Sequence, residues 1–525
     1  MATRCKLWRY RARTLRGRAA ILRSIVLPLL WYTAAVTRVP ADVAQRVKFL
    51  CKAFLFKKAI SDSHGFAGPM AEAWLYWPTS RGGLGLPETI SFSHSLQLCS
   101  LRDAMSVATT THTVPRWFFP AFSLFSGPLF GGGSGFDILY APIPRGLTVQ
   151  EPWLGLAPFW IEPLRVWHSL VSEYCALCNF DWVIAEMPYW QNHFLRANAR
   201  GALTGRASSN ASRFYDKGYV RLQDFVDRHG SFPTPSLCVE ILENTSFPSP
   251  AKRSAAAGFF ARQVGRLLNL PLGSTPSQGP HRPADLCAAA HGWSFRGVDF
   301  LHGRNHEFYH ILHRLPAITR LSHFSLGIAS EPDWTVLWRR ERSLDRDLLP
   351  VLADIKYRLQ HNGLNVRLKY RHRTSDILCV HGCGVVEDAQ HLFWVCPIAQ
   401  AAWDAVLTPF RDLVAGDVTW AAVVYLQGLL FTDSAISLHK SHNLLRVFNV
   451  LRCSVLYVVW LHRNDCMWNG TASDSTFVLQ RTMAYARLHL GRLRQGEVPR
   501  LSSLCELWLP LPNPMPPEDT LPSAG

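Results

Sequence analysis

The sequence lacks an uninterrupted apolar run long enough to cross a membrane. Its longest apolar runs are 25–36, which Pro28 interrupts, and 455–461. Both are much shorter than the roughly 20 residues that a membrane-spanning helix needs. Charged residues are also scarce, at 18% of the chain, whereas hydrophobic residues make up 48%. We therefore expect a folded chain with a sizeable core and no membrane partner, and the composition excludes wholesale disorder.

Cysteine is too sparse for a secreted domain held together by disulfides. The 525 residues contain 13 cysteines, an odd number, whereas disulfide-rich domains carry cysteine at much higher density. We therefore expect reduced thiols in an intracellular protein, with any clustered cysteines used to bind metal.

Several signatures of catalysis are also missing from the sequence. There is no Gly-x-Ser-x-Gly nucleophile elbow, and neither glycine-rich stretch, 82–85 or 131–135, continues as a phosphate-binding loop. There is no Asp-Asp dipeptide, which the aromatic-x-Asp-Asp metal-binding turn of polymerases requires. We therefore expect that the chain does not polymerise nucleic acid.

Positive charge is present in excess. Lys and Arg number 55 against 38 Asp and Glu, which gives a formal net charge of +17. Eight of these cations lie in the first 25 residues, and no acidic residue precedes Asp42. This excess predicts a polyanionic partner such as nucleic acid. A mitochondrial presequence would show the same N-terminal pattern, and so would a solvated basic helix face.

Apolar residues recur at the helical period along much of the chain, which predicts a mostly α-helical protein with Pro/Ser/Gly-rich linkers. Two helices are expected within 7–60, packed through apolar faces with their arginines outward. Five segments are predicted: helices over 1–126, short helices and linkers over 127–330, a zinc-binding module over 331–410, helices over 411–508, and a Pro-rich disordered tail over 509–525.

A cysteine and histidine cluster is the strongest candidate site. Its members follow the spacing Cys-x3-Cys-x7-His-x4-Cys and are Cys379, Cys383, His391 and Cys396. Such ligands can converge tetrahedrally on zinc, and a site that uses all four positions is structural rather than catalytic. His381 is a fifth candidate that could replace either early cysteine. The alternative is that the thiols are small buried hydrophobes and that His391 caps a helix.

A second candidate metal site lies upstream, where His306-Glu-Phe-Tyr-His310 matches the His-Glu-x-x-His pattern of zinc hydrolases. On a helix both histidines would project from one face, and Glu307 could activate a metal-bound water. Glu331 is a possible third ligand. A zinc-dependent hydrolase is therefore the enzymatic alternative for this chain.

The N-terminal motifs resemble a known family. Residues 15–28, Trp31-Tyr32, 54–56 and 77–87 are similar to the segment that follows the palm in LINE-type (non-LTR) retrotransposon reverse transcriptases. In that family the segment forms the thumb, so the resemblance implies a thumb-like helical segment over 1–126.

The cysteine and histidine cluster resembles the reverse-transcriptase zinc-binding domain of the same family. Glu387 precedes His391-Leu-Phe, Pro397 follows Cys396, and Trp460-Leu-His-Arg-Asn464 is similar to the Trp-x-x-Arg-Asn segment often found after that domain. The family's usual first pair is Cys-x2-Cys, so either Cys379 or His381 is the first ligand here.

The resemblance implies the C-terminal part of a retrotransposon polymerase without its catalytic palm, bound to RNA or DNA with weak sequence preference and located in the nucleus. Trp394 or Trp403 could stack on bases, and core packing is the alternative for both. A decayed remnant without function is a further alternative. The cations expected to contact phosphates are Arg9, Arg11, Arg13, Arg16, Arg18, Arg23, Arg371 and Arg373.

Overall fold

The structure is a computed structural model, and it does not describe every residue of the chain. Arg373, residues 510–525 of the predicted tail and much of 127–330 lie outside the described residues. The residues that it describes are 1–57, 68–111, 113–125, 136, 139, 158–177, 196–198, 201–202, 213–214, 217–219, 221–229, 234–245, 247–268, 293–317, 322–372, 375–495 and 499–509.

Helices account for most of the described residues, which confirms the mostly α-helical prediction. Up to residue 312 they are α1 (Ala2–Trp8), α2 (Leu15–Ile21), α3 (Pro28–Ala34), α4 (Ala41–Leu55), α5 (Ala73–Tyr76), α6 (Thr89–Thr111), α7 (Phe119–Phe125), α8 (Pro158–Tyr174), α9 (Leu222–His229), α10 (Pro235–Ile241), α11 (Pro250–Leu268) and α12 (Asn305–Leu312). Beyond it they are α13 (Ser322–Ser325), α14 (Trp334–Leu344), α15 (Pro350–Gln360), α16 (Pro397–Leu407), α17 (Trp420–Tyr425), α18 (Asp433–His439), α19 (Ser441–Asn469), α20 (Ser475–Gln495) and α21 (Pro499–Glu506).

Short strands form two small antiparallel sheets in the described part of the chain. The strands are β1 (Cys175–Leu177), β2 (Arg196–Asn198), β3 (Gly201–Ala202), β4 (Trp293–Phe295) and β5 (Val298–Asp299). One sheet has the order β1-β4-β5, with Cys175 opposite Phe295 in its register, and the other pairs β2 with β3.

The chain divides into two compact units, which are described separately. Unit 1 comprises 1–27, 46–87 and 315–525, and unit 2 comprises 28–45 and 88–314. In unit 2, α6 packs against α8 and α12. Trp167 of α8 is buried among aromatic rings of the β4–β5 region, with ring centroids 4.7–5.3 Å apart.

The five-segment division remains a prediction.

The core of unit 1 is built around α19, which packs against α15, α16 and α20. Among the described residues, α19 is one helix that is long and apolar enough to cross a membrane by length and composition alone. However, 72% of its apolar stretch is buried inside the protein, as expected for the central helix of a helical core.

Helix α2 shows how the N-terminal segment folds. The Thr14 side chain accepts a hydrogen bond from the Gly17 amide at 3.0 Å, which caps the helix. The predicted apolar face is confirmed, since its members are all buried, namely Leu15, Ala19, Leu22 and Val26. The prediction that Arg18 faces outward is wrong. Its guanidinium is buried and donates to the carbonyls of Leu55 and Arg13, so it satisfies backbone acceptors instead of facing solvent.

The glycine-rich turn at 82–85 packs closely against α14 and α15 within unit 1. Gly82 has a φ of +87°, and a Cβ at this position would lie 1.8 Å from Nε1 of the buried Trp338. The Gly82 carbonyl also accepts hydrogen bonds from the Tyr357 hydroxyl and from Nε2 of His361, both at 2.9 Å. The turn therefore requires glycine for its backbone conformation and for its close approach to the tryptophan.

Replacing Gly82 with Ala is expected to destabilise unit 1 by about 2–4 kcal/mol, because left-handed strain and overpacking against Trp338 add together. Gly428→Ala is the matched control, since Gly428 has a φ of +71° and nothing within 4 Å of the added Cβ. Its cost should be strain alone, about 1–2 kcal/mol. Urea unfolding of both variants measures the difference, and equal midpoints would contradict the close approach.

Candidate metal centre

A tight turn brings the first two cysteines of the cluster together. Leu378 and Val386 form an antiparallel bridge, and the Cys379 amide donates to the Val385 carbonyl at 2.8 Å. Gly382 and Gly384 have φ values of +79° and +70°, a conformation that other residues adopt only at a cost. The turn thus places Cys379 and Cys383 on one side, as their spacing predicts.

A π-helical turn, His391–Val395, supplies the other two members of the cluster. The His391 amide donates to Asp388 Oδ1 at 2.7 Å, and the Cys396 amide donates to the His391 carbonyl at 2.6 Å. This wider i to i+5 turn returns the chain so that Cys396 lies beside His391. Cys396 then precedes Pro397, the first residue of α16.

The four predicted ligands converge in the structure. One ligand atom from each of Cys379, Cys383, His391 and Cys396 lies within 4.8 Å of every other, and the Sγ atoms of Cys383 and Cys396 are 3.5 Å apart. Nε2 of His391 is buried without a hydrogen-bond partner among the described residues. The cluster can therefore hold a metal ion, and a set of three thiols and one imidazole fits the donors that zinc prefers. His381 lies outside this group.

Ionisation within the cluster is already uneven. Hydrogen bonding by Cys396 is the largest influence on Cys379, and it lowers the pKa of the Cys379 thiol to about 5 despite burial. The pKa of the Cys396 thiol is raised, chiefly by its hydrogen bond to Cys379 and then by burial. One thiolate is therefore favoured near neutral pH, and thiolate is the form that binds metal.

A buried ion pair fixes the cysteine-bearing turn to α19. Oε1 of Glu387 accepts from Nη2 and Nε of Arg463 at 2.7 and 3.1 Å, and from the Arg367 amide at 2.9 Å. Both charged side chains are almost completely buried. Glu387 and Arg463 belong to the two C-terminal motifs that carry the family resemblance, so the structure joins these motifs by a direct contact.

A second group of metal-ligating side chains lies beside the first, and sequence reasoning missed it. His381, His462 and Cys466 each offer a ligand atom within 4.8 Å of the other two. His462 and Cys466 are four residues apart on α19, a spacing that places them on one helix face. This spacing could have indicated the pair from the sequence alone. Their distance in sequence from His381 concealed the third member.

The predicted phosphate-binding arginines have different surroundings. Arg11, Arg13, Arg23 and Arg371 are exposed, and Arg9 is half-buried with its guanidinium bonded to the Lys57 carbonyl. Arg16 pairs with Asp345 at 2.7 Å and lies 4.5 Å above the ring of Tyr357. Arg18, being buried, is unavailable to a phosphate.

An arginine-lined cleft lies in unit 1. Arg16, Arg23 and Arg342 line it together with the Gly82–Leu84 backbone, and Arg342 donates to the Thr79 hydroxyl at 2.5 Å. Among the described residues, no acidic residue lines the cleft directly, although Asp345 pairs with Arg16. Sequence reasoning missed Arg342, because the contact is made across a large separation along the chain.

The two candidate stacking tryptophans differ in exposure. Trp403 is buried and its Nε1 donates to the Phe393 carbonyl at 2.7 Å, so it is a core residue. Trp394 is half-buried, with its ring centroid 5.3 Å from that of Trp403. Of these two tryptophans, only Trp394 therefore remains a candidate for base stacking.

Lys369, which shortly precedes the predicted phosphate-binding Arg371, bonds to the Asn362 carbonyl, and burial lowers its pKa to about 7.

The His-Glu-x-x-His segment forms α12, but its carboxylate has a structural contact. Glu307 Oε2 accepts from the Arg304 amide at 2.7 Å and so caps the helix N-terminus. His306 and His310 are exposed with ring centroids 6.5 Å apart, and neither belongs to a metal-ligating group in the described residues. Glu331 accepts from Trp334 Nε1 at 2.8 Å.

No protein-family model matches the sequence, and no curated protein matches it.

Proposed function

We propose that this protein binds single- or double-stranded nucleic acid through unit 1, with weak sequence preference and without polymerase activity. The arginine-lined cleft carries the proposal. Arg16, Arg23 and Arg342 line one cleft, and no acid is among its lining residues in the described part of the chain, although Asp345 pairs with Arg16. Phosphate oxygens are partners that guanidinium groups hold strongly. The exposed Arg11, Arg13 and Arg371 add further positive charge to unit 1.

The metal cluster has a supporting role in this proposal. Zinc bound by Cys379, Cys383, His391 and Cys396 would close the turn, and the Glu387–Arg463 ion pair fixes the same turn to α19. When bound, the ion supplies folding free energy rather than chemistry, because all four tetrahedral positions are protein ligands. Arg371, exposed ahead of this turn, is thereby held on an ordered scaffold.

A relationship to the C-terminal part of LINE-type reverse transcriptases is part of the same proposal. Its support is the sequence resemblance together with the direct pairing of Glu387 with Arg463. We propose a nuclear location on the same ground.

Binding to mixed-sequence RNA or DNA is expected to weaken steeply as salt rises. Each phosphate contact contributes a slope of about −0.9 for duplex DNA, or about −0.7 for single strands, in log affinity against log salt. The double variant Arg23→Ala/Arg342→Ala removes up to two contacts, so its slope should be shallower by about 1.4–1.8. Its affinity at low salt should fall about tenfold or more. Fluorescence anisotropy with labelled oligonucleotides measures both quantities.

Arg340→Ala is the matched control, because Arg340 is exposed on α14 with Arg342 but does not line the cleft. It should change the slope by clearly less than the double variant. If wild-type protein bound the oligonucleotide with equal affinity at low and high salt, nucleic-acid binding through phosphate contacts would be refuted. Equal effects of the control and the double variant would refute the cleft as the binding surface.

A further inference from the structure

The second group of metal-ligating residues, which the proposed function does not use, has the geometry of a metal site. His381 lies in the turn between Cys379 and Cys383, while His462 and Cys466 lie on one face of α19. Cys466 Sγ is 3.6 Å from His462 Nε2 and 4.0 Å from His381 Nδ1. Tetrahedral zinc with Zn–S of about 2.3 Å and Zn–N of about 2.0–2.1 Å requires about 3.6 Å between such atoms.

The two imidazoles are incompletely satisfied. Nε2 of His381 and Nδ1 of His462 are buried without hydrogen-bond partners among the described residues. The other ring nitrogens contact Ser473 Oγ at 2.9 Å and the Asp474 amide at 3.1 Å. The rings are nearly parallel, at 7°, with centroids 5.4 Å apart. The nitrogens nearest Cys466 Sγ are Nδ1 of His381 and Nε2 of His462, which are the atoms that make these two contacts. A shared cation would replace both contacts and engage all three donors.

We propose that His381, His462 and Cys466 form a second divalent-metal site, separate from the four-residue cluster, with an open fourth position. Two imidazoles and one thiolate are donors of the kind that zinc binds in proteins, and a site with three protein ligands leaves a position for water or an external ligand. Binding would displace the contacts that Ser473 and Asp474 make to these rings, and it would join the turn at 379–383 to the C-terminal end of α19.

Metal stoichiometry of the full-length protein tests this proposal. After loading with Zn²⁺ and dialysis, wild-type protein should hold two equivalents. Cys466→Ser and His462→Gln should each hold one, and so should Cys396→Ser, because each disrupts a single site. The matched control is Cys99→Ser, since Cys99 is a half-buried cysteine of unit 2 outside both groups, and this variant should keep two equivalents.

Replacing Zn²⁺ with Co²⁺ distinguishes the two sites by their absorption spectra. Thiolate-to-cobalt charge transfer should fall by about a quarter in Cys466→Ser, because one of four ligating thiolates is lost, whereas Cys396→Ser should lose most of it. Two equivalents retained by folded Cys466→Ser would overturn the proposal. The proposal would also be overturned if wild-type protein held one zinc equivalent and Cys466→Ser kept it. The same holds if wild-type protein held one equivalent and both Cys466→Ser and Cys396→Ser lost it. A single equivalent lost in Cys466→Ser but kept in Cys396→Ser would support this site and refute the first.

Discussion

A full-length Cys396→Ser protein is expected to lose the zinc that we propose for the four-residue cluster and to melt at least about 10 °C lower than wild type. Structural zinc contributes about 10–16 kcal/mol in zinc-finger peptides. If even about 5 kcal/mol of that free energy supports unit 1, the shift is about 10–20 °C, at roughly 2–4 °C per kcal/mol. The cost is large because Cys396 is completely buried at the start of α16, within the hydrophobic core of unit 1.

The measurement is metal content by mass spectrometry together with thermal melts in the presence and absence of a chelator. Wild-type protein should shift to lower temperature with chelator, whereas the Cys396→Ser protein should shift clearly less, because it has already lost the ion of the four-residue cluster. Cys505→Ser is the matched control, since Cys505 is equally buried in unit 1 but belongs to neither metal-ligating group. Retention of the cluster's zinc by Cys396→Ser, or a chelator effect equal to that of wild type, would contradict the assignment.

The parts of the site that could be predicted from sequence are those set by local geometry. The four ligands lie within eighteen residues, and glycines at 382 and 384 permit the turn, so spacing alone indicated their convergence. The predicted apolar face of α2 was likewise a matter of helical period. In each case the interacting groups are neighbours in sequence, so the geometry of a turn or helix determines from their spacing where their side chains lie.

What the sequence could not show depends on contacts between distant residues. Arg18 follows the pattern of an exposed residue, but the Leu55 carbonyl, 37 positions away, accepts from its guanidinium inside unit 1. His381 likewise stacks on His462 of α19, which is far from it along the chain. A hydrophobic period specifies which residues are buried on average, and it does not identify a polar side chain that finds its partner inside the protein.

The most extensive set of contacts between distant residues that the sequence did not reveal is a network of charges in the core of unit 1. Glu341 accepts from Arg452 Nη2 at 2.7 Å and from Lys356 Nζ at 2.5 Å, and all three side chains are fully buried. Gln360 Nε2 also donates to Glu341 at 2.9 Å, and Asn449 Oδ1 accepts from Lys356 at 3.0 Å. Because these residues lie on α14, α15 and α19, the network joins three helices of one core.

Replacing Glu341 with Gln is expected to destabilise unit 1 by about 3–5 kcal/mol, because the buried Arg452 then loses the carboxylate with which it pairs and Lys356 keeps only its pair with Asp345 among the described residues. Glu72→Gln is the matched control, since Glu72 also pairs with two lysines but is 39% exposed. Its cost should stay below about 1 kcal/mol. Chemical unfolding measures both variants. Equal costs would show that burial of the network contributes nothing.

The ionisation of Glu341 makes the stability of unit 1 depend on pH. Burial alone would raise the pKa of Glu341, but the charges of Arg452 and Lys356 outweigh it and hold the pKa to about 2, below the ordinary value of 4.5. The unfolded chain therefore binds more protons between pH about 4.5 and about 2. Stability is complete above this window and falls as the pH decreases through it, by up to about 1.4 kcal/mol per unit. Unfolding titrations should show a shallower acid slope in Glu341→Gln than in wild type, and identical slopes would mean that Glu341 is not held ionised in the folded core.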